Sequence, residues 1–179
     1  LGYAMQERIG AVGAKLLFAN GKIQHAGVVV GVGEEKIANH AYYLKDKFAS
    51  ALAGRLLVPY NYAAVTGACL MVDKKKYFEV NGLTEELEIN YNDIDFCLKL
   101  LEKGYYNICL PQVELYHYES LSRGKSQSPE KAKELQYSTE YMKKKWKKIL
   151  QNDPFYNPNL SKEMCFVLDK KEVEKNEKE

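Results

Sequence analysis

No stretch of these 179 residues carries the roughly 18 uninterrupted apolar side chains that a membrane-spanning helix needs, so no such span is expected within them. No signal-peptide pattern is visible either. Charge of one sign is also missing. The 26 Lys and Arg against 24 Asp and Glu leave a net +2, too little for the whole-molecule field to recruit nucleic acid, and no nucleic-acid partner is expected. Tryptophan occurs once. The four cysteines, at 69, 97, 109 and 165, show no C-x-x-C spacing and no close partnering with the three histidines. Cys69 and Cys109 fall in strand-like runs and Cys97 on an apolar helix face, which predicts reduced core thiols in a cytoplasmic protein. Internal repeats are absent. The glycines at 27, 31 and 33 fail the dinucleotide fingerprint, because GVGEEK supplies neither a third glycine nor a helix followed by a ribose-binding acid.

What the chain does have is tyrosine, fourteen of them. A ring that packs and a hydroxyl that hydrogen-bonds suit polar ligands such as sugars, although an ordinary half-buried position is the default for any single tyrosine.

In chain order, LGYAMQERIG reads as the last turns of a helix, with Leu1, Ala4 and Met5 on one side and Gly10 as its break. A chain that opens this way, on Leu rather than Met, is expected to be a piece of something longer. Residues 9–18 predict a strand, Asn20-Gly21 a tight hairpin, and residues 23–30 an antiparallel return. His25 in that return is expected to be a hydrogen-bonded structural residue. Residues 34–61 form a long connection with a short helix near 46–53. His40, Tyr42 and Tyr43 fit either a binding loop or, more plainly, a solvated linker. Residues 62–78 predict a buried strand and then a basic exposed turn. Thr66 and Gly67 interrupt that strand, as a bulge or as a place where a ligand nears the backbone.

A helix follows over Asp93–Lys103, with Ile94, Cys97, Leu98 and Leu101 at helical spacing and Gly104 as its stop. The next strand is interrupted or ended by Pro111, which argues for an edge or a break. Ser128 and Pro129 start a last helix. Its stripe of Leu135, Met142, Trp146 and Ile149 predicts a surface helix docked on its own domain in preference to one lying on an anionic membrane. From Ser161 the charges alternate with little to bury, and the last dozen residues are expected to be disordered.

The chemistry concentrates between Asn92 and Arg123. Asp93-Ile94-Asp95 has the D-x-D spacing of a metal motif, yet residues i and i+2 of a helix point about 200° apart and cannot share one ion. The two carboxylates therefore need different jobs. Asp95 at the third helical position can close a capping box with Asn92. That leaves Asp93 unexplained, together with His117, Glu119, Ser120 and Arg123, polar types gathered at one strand end.

The blocks AVGAKLLF, NG, IQHAG, AVTGACLMV, NDIDFCLKLLEKGY and PQVELYHYESLSRG follow one another in that order. Over residues 1 to about 124 they resemble glycosyltransferase family 2 enzymes of the GT-A fold, in particular bacterial enzymes that build polysaccharide, O-antigen and rhamnan chains. The resemblance implies an α/β fold, a truncated GT-A-like mixed sheet with flanking helices. Residues 1–124 would be the C-terminal, acceptor-side half of that domain, 125–160 an amphipathic helix and extension, and 161–179 a charged tail. It implies inverting transfer of a sugar from a nucleotide-diphosphate donor to an acceptor hydroxyl, with a divalent metal, Mn or Mg. Asp93 would be the general base and Asp95 its structural partner. His117 would be a metal or diphosphate ligand and Arg123 a phosphate contact. Thr66, Gly67 and Asn92 would touch substrate.

The family's nucleotide-binding half, which carries the metal D-x-D, has no counterpart here, so the chain alone is expected not to transfer sugar. A non-catalytic carbohydrate-binding or assembly module is the alternative. Beyond the nucleotide sugar and the saccharide acceptor, two partner expectations attach to the chain. One is peripheral contact with the inner face of the plasma membrane, and the other is a homodimer that covers an exposed core edge.

Overall fold

The computed structural model describes residues 1–49, 51, 54–118 and 128–168. Strand β1 (Ile9–Leu17) is buried along nearly its whole length, which is why IGAVGAKLL is small and apolar instead of alternating. Strand β7 (Tyr106–Tyr116) runs parallel to it, from Ile9 opposite Tyr106 to Leu17 opposite Tyr116. The Asn20-Gly21 turn, with Gly21 at φ 77°, folds β2 (Ile23–His25) back antiparallel on β1, as its sequence predicts. Strand β6 (Leu70–Met71) pairs antiparallel with β1 at Val12 and Gly13, and β5 (Tyr60–Tyr62) adds antiparallel to β7. The order is β2-β1-β7-β5 with β6 beside β1, and a separate pair is made by β3 (Val28–Val30) and β4 (Ala38–His40).

Four α-helices accompany these strands among the described residues: α1 (Lys74–Glu79), α2 (Asn92–Glu102), α3 (Pro129–Lys145) and α4 (Lys147–Gln151). The molecule is thus a mixed α/β structure.

Several expectations change. Residues 1–8 form turns closed by bonds such as Gln6 N–H to the Tyr3 carbonyl at 3.1 Å, and Leu1 and Met5 are exposed, so no helical stripe exists. The single strand expected over 23–30 breaks at Gly27. Its φ of 109° is a glycine conformation, and a Cβ there would strike the Tyr62 ring, so the chain bends out of one sheet into the other. No helix forms over 46–49, where Asp46 instead closes a turn by accepting from Phe48 N–H at 2.8 Å. Residues 50, 52 and 53 of that expected helix lie outside the described ones.

The buried strand expected at the start of 62–78 is not continuous: β5 ends at Tyr62 and strand resumes only at Leu70–Met71 as β6, and the basic stretch after it is helix α1. Its N-cap is Asp73, which accepts from Lys75 N–H at 2.7 Å, a capping signal that outweighs the run of lysines. Strand β7 continues through Pro111, but its register against β1 jumps between Leu110 and Glu114. The proline sits in that irregularity, past the Asn107–Cys109 segment that pairs with β5, where its missing N–H breaks no ladder bond.

Helix α3 docks through Ser138, Thr139 and Met142, with Trp146 buried just beyond it, while Lys143 and Lys144 face outward. No helix among the described residues is long and apolar enough to cross a membrane. The segment from Ser161 to Leu168 packs on the domain, with Phe166 stacked on Tyr42 at 4.6 Å between ring centroids. All four thiols are free. Burial pushes Cys109 up to about 12 and Cys165 to about 11, so they are unreactive near neutral pH.

One amide ties the layers that carry the site. Asn107, fully buried, accepts from Ala11 N–H at 3.0 Å and donates to the Ala63 and Cys97 carbonyls at 2.9 Å each. It thereby joins β1, the chain leaving β5, and α2. Asn107→Ala removes all three bonds and leaves the Ala11 N–H and the Ala63 carbonyl without this partner, at about 1–3 kcal/mol apiece before relaxation, while the Cys97 carbonyl keeps its helical bond within α2. Urea unfolding is expected to show a loss of roughly 3–5 kcal/mol, and a loss below about 1 kcal/mol would contradict this role.

Candidate functional site

The site is built on the first turn of α2. Tyr91, at φ 62°, is the N-cap and makes no side-chain cap bond, while the Asn92 amide donates to the Glu88 carbonyl at 3.3 Å. The capping box expected of Asn92 and Asp95 therefore does not form.

Asp95 points inward and is fully buried. One carboxylate oxygen accepts from Trp146 Nε1 at 2.7 Å and lies 2.8 Å from Lys145 Nζ. The other accepts from Thr84 Oγ1 at 2.6 Å, with Lys99 Nζ at 3.6 Å. A buried carboxylate needs such donors, since an unpaired one is strongly destabilising. Burial alone would raise its pKa, but hydrogen bonds from Lys145, Thr84 and Trp146 together hold it below the usual carboxylate value. The two lysines respond oppositely. Burial pulls both down, yet Lys145 ends above its ordinary value through its short bond to Asp95, while Lys99, farther away, stays below.

Asp93 projects to a different side of the same turn. Its Oδ2 accepts from Gly67 N–H at 2.7 Å and its Oδ1 from Ile94 N–H at 2.9 Å. Gly67 opens the 3-10 turn Gly67–Cys69, whose N-cap Thr66 accepts from Ala68 N–H through its hydroxyl at 3.4 Å. A Cβ on residue 67 would lie 3.3 Å from Asp93 Cβ, so the absence of one lets the turn close on the carboxylate. This is neither a simple bulge nor a strand.

Thr66, Gly67, Asn92, Asp93 and His117 all line one cleft of about 790 Å³. The sequence names these five from three separate segments, and the fold brings them together. Arg123, Glu119 and Ser120 lie outside the described residues. The cleft also uses residues that sequence reasoning did not single out, among them Tyr77, Phe96 and Tyr118. The pattern of aromatic residues gives no way to choose these from the other tyrosines and phenylalanines.

His117 Nδ1 lies 2.8 Å from Gln24 Oε1, so Nδ1 donates to that amide oxygen and Nε2 is the ring nitrogen outside that bond. That offers one nitrogen to a metal. Among the described residues no group of three or more His, Cys, Asp or Glu side chains converges to hold an ion, so these residues do not by themselves fit a divalent-metal centre.

No family model matches the chain. It is 44% identical over 161 residues to an uncharacterized protein, y4gI, of Sinorhizobium fredii, an alignment covering 89% of this chain and 18% of the relative. It is 33% identical over 159 residues to the O-antigen biosynthesis protein RfbC of Myxococcus xanthus, covering 88% of this chain and 12% of that one. The chain spans less than a fifth of each of these relatives.

The Asp95 node has a pH signature that Trp146, the single tryptophan, reports by fluorescence. A carboxyl whose folded pKa is depressed contributes stability that is present above the unfolded value and lost as pH falls through the folded one. The Trp146 signal is expected to hold down to the ordinary value of 3.8 and to change only below it. A transition centred above about pH 5 would contradict the assignment.

Proposed function

We propose that these residues form the acceptor-side part of an inverting, family 2-like glycosyltransferase with a GT-A-like fold, acting in cell-surface polysaccharide synthesis. The observation that carries the reading is the gathering of Thr66, Gly67, Asn92, Asp93 and His117 around one cleft, with Asp93 held at its wall by two backbone N–H groups. The similarity to a protein named for O-antigen biosynthesis supports the same direction.

In this reading an acceptor hydroxyl enters the cleft beside Asp93. Its oxygen forms the new bond to the anomeric carbon while the bond to the donor's diphosphate breaks, the electron pair leaving with the diphosphate oxygen. The hydroxyl proton passes to the Asp93 carboxylate. The bonds from Gly67 and Ile94 fix the plane of that carboxylate and leave further lone pairs on its oxygens to receive the proton. Thr66, Gly67 and Asn92 border the space the acceptor sugar would fill. His117 and Arg123 are assigned to the leaving diphosphate, and the remaining donor contacts fall to residues outside this chain.

The test is made in the full-length polypeptide with nucleotide sugar and a saccharide acceptor. Asp93→Asn keeps the shape and, through its single carbonyl oxygen, one of the two backbone bonds, and is expected to lower kcat by about 10²–10⁴-fold while donor affinity is retained. Turnover close to wild type would overturn the base assignment. Saccharide binding with no nucleotide-dependent turnover in the unmodified protein would favour a carbohydrate-binding module instead.

A further inference from the structure

Strand β2 ends in a histidine that the proposed chemistry does not use. His25 is fully buried, and its ring meets two backbone donors at one nitrogen and a second imidazole at the other. Gly27 N–H and Thr66 N–H lie 3.3 Å and 3.5 Å from His25 Nε2. His25 Nδ1 is 2.9 Å from His40 Nδ1, with the rings nearly perpendicular at 88°.

These contacts fix the protons. Two N–H groups aimed at Nε2 require a lone pair there, so the His25 proton sits on Nδ1. That Nδ1–H donates to His40 Nδ1, which must then be bare, and the His40 proton sits on Nε2. Adding a proton to His25 would set one N–H against another. Consistently, burial first and the neighbouring His40 second hold the His25 pKa well below its ordinary value.

The consequence reaches the cleft through one peptide unit. Thr66 N–H is bonded to His25, and the next N–H along the chain, that of Gly67, is bonded to Asp93 Oδ2 at 2.7 Å. The Thr66–Gly67 unit is thus strung between a buried imidazole and the proposed base. His40 also borders a cavity of about 170 Å³ together with Thr66 and Asp93. A proton relay through the pair is excluded by the same bonds, because both groups bonded to His25 Nε2 are backbone N–H groups, which give up no proton near neutral pH.

We infer that His25 and His40 are a positioning pair: the His40-locked tautomer of His25 holds Thr66 N–H, and thereby aims Gly67 N–H at Asp93. The catalytic consequence rests on the reading of Asp93 as base, whereas the geometry can be tested without any sugar transfer.

Long-range proton–nitrogen NMR of the chain reads both tautomers directly, without mutation. The expected result is Nδ1–H on His25 and Nε2–H on His40. An Nε2–H or doubly protonated His25 at neutral pH would overturn the inference. Two variants then test the link. His40→Leu removes the acceptor that locks His25, while His40→Asn keeps an oxygen near the position of Nδ1.

The Gly67 amide proton is expected to move upfield and exchange about tenfold faster in His40→Leu, which corresponds to about 1.4 kcal/mol at that bond, and to return towards wild type in His40→Asn. Amides of β1 and β7 should stay unchanged. An unmoved Gly67 amide, an equal effect of the two variants, or uniform acceleration of all amides would each count against positioning. If His40→Leu does not fold, the tautomers and His40→Asn still decide. Should Asp93→Asn leave turnover intact while Gly67 behaves as expected, the base reading fails and the positioning pair stands.

Discussion

A carboxylate with no exposed surface is tolerated only where donors surround it, and Asp95 meets that demand with Thr84, Trp146 and Lys145, each within 2.8 Å. The partners come from the loop before α2 and from the junction of α3 and α4. This buried charge therefore locates α2 against two other segments of chain. It also fixes the rotation of α2 about its own axis, because Asp95 cannot turn outward without depriving these donors of their acceptor. That rotation decides what Asp93 faces.

With α2 so oriented, Asp93 meets the Thr66–Gly67 turn, and the turn is bonded from behind by buried His25, which itself contacts half-buried His40. Asn107 supplies the other anchor by bridging β1, the Ala63 carbonyl and the Cys97 carbonyl of α2. The cleft is thus walled by elements held through buried polar groups with specified partners. Apolar packing sets the volume of the core, but a fixed carboxylate at a cleft wall needs directional bonds, and these are the bonds the fold provides.

Features whose causes lie within a few residues are legible in the sequence. The Asn20-Gly21 hairpin, the span of α2 with Gly104 after it, and the Ser128-Pro129 start of α3 follow from local backbone preferences, and all three are found. The separate duties of Asp93 and Asp95 are legible from helical geometry alone. What Asp95 does is not, since a helix-start carboxylate reads most simply as a cap, and its Trp146 partner is 51 residues away. The His25–His40 pair escapes for the same reason. It joins strands of two different sheets, with no trace in spacing.

The central claim is that two carboxylates two residues apart divide the work, one holding the structure and the other facing the cleft. Chemical denaturation of Asp95→Asn and Asp93→Asn, side by side with wild type, tests it most directly. Asp95→Asn should cost about 3–5 kcal/mol, as expected for breaking a buried charged pair, and Asp93→Asn no more than about 1 kcal/mol. Equal losses, or a larger loss at Asp93, would contradict the account.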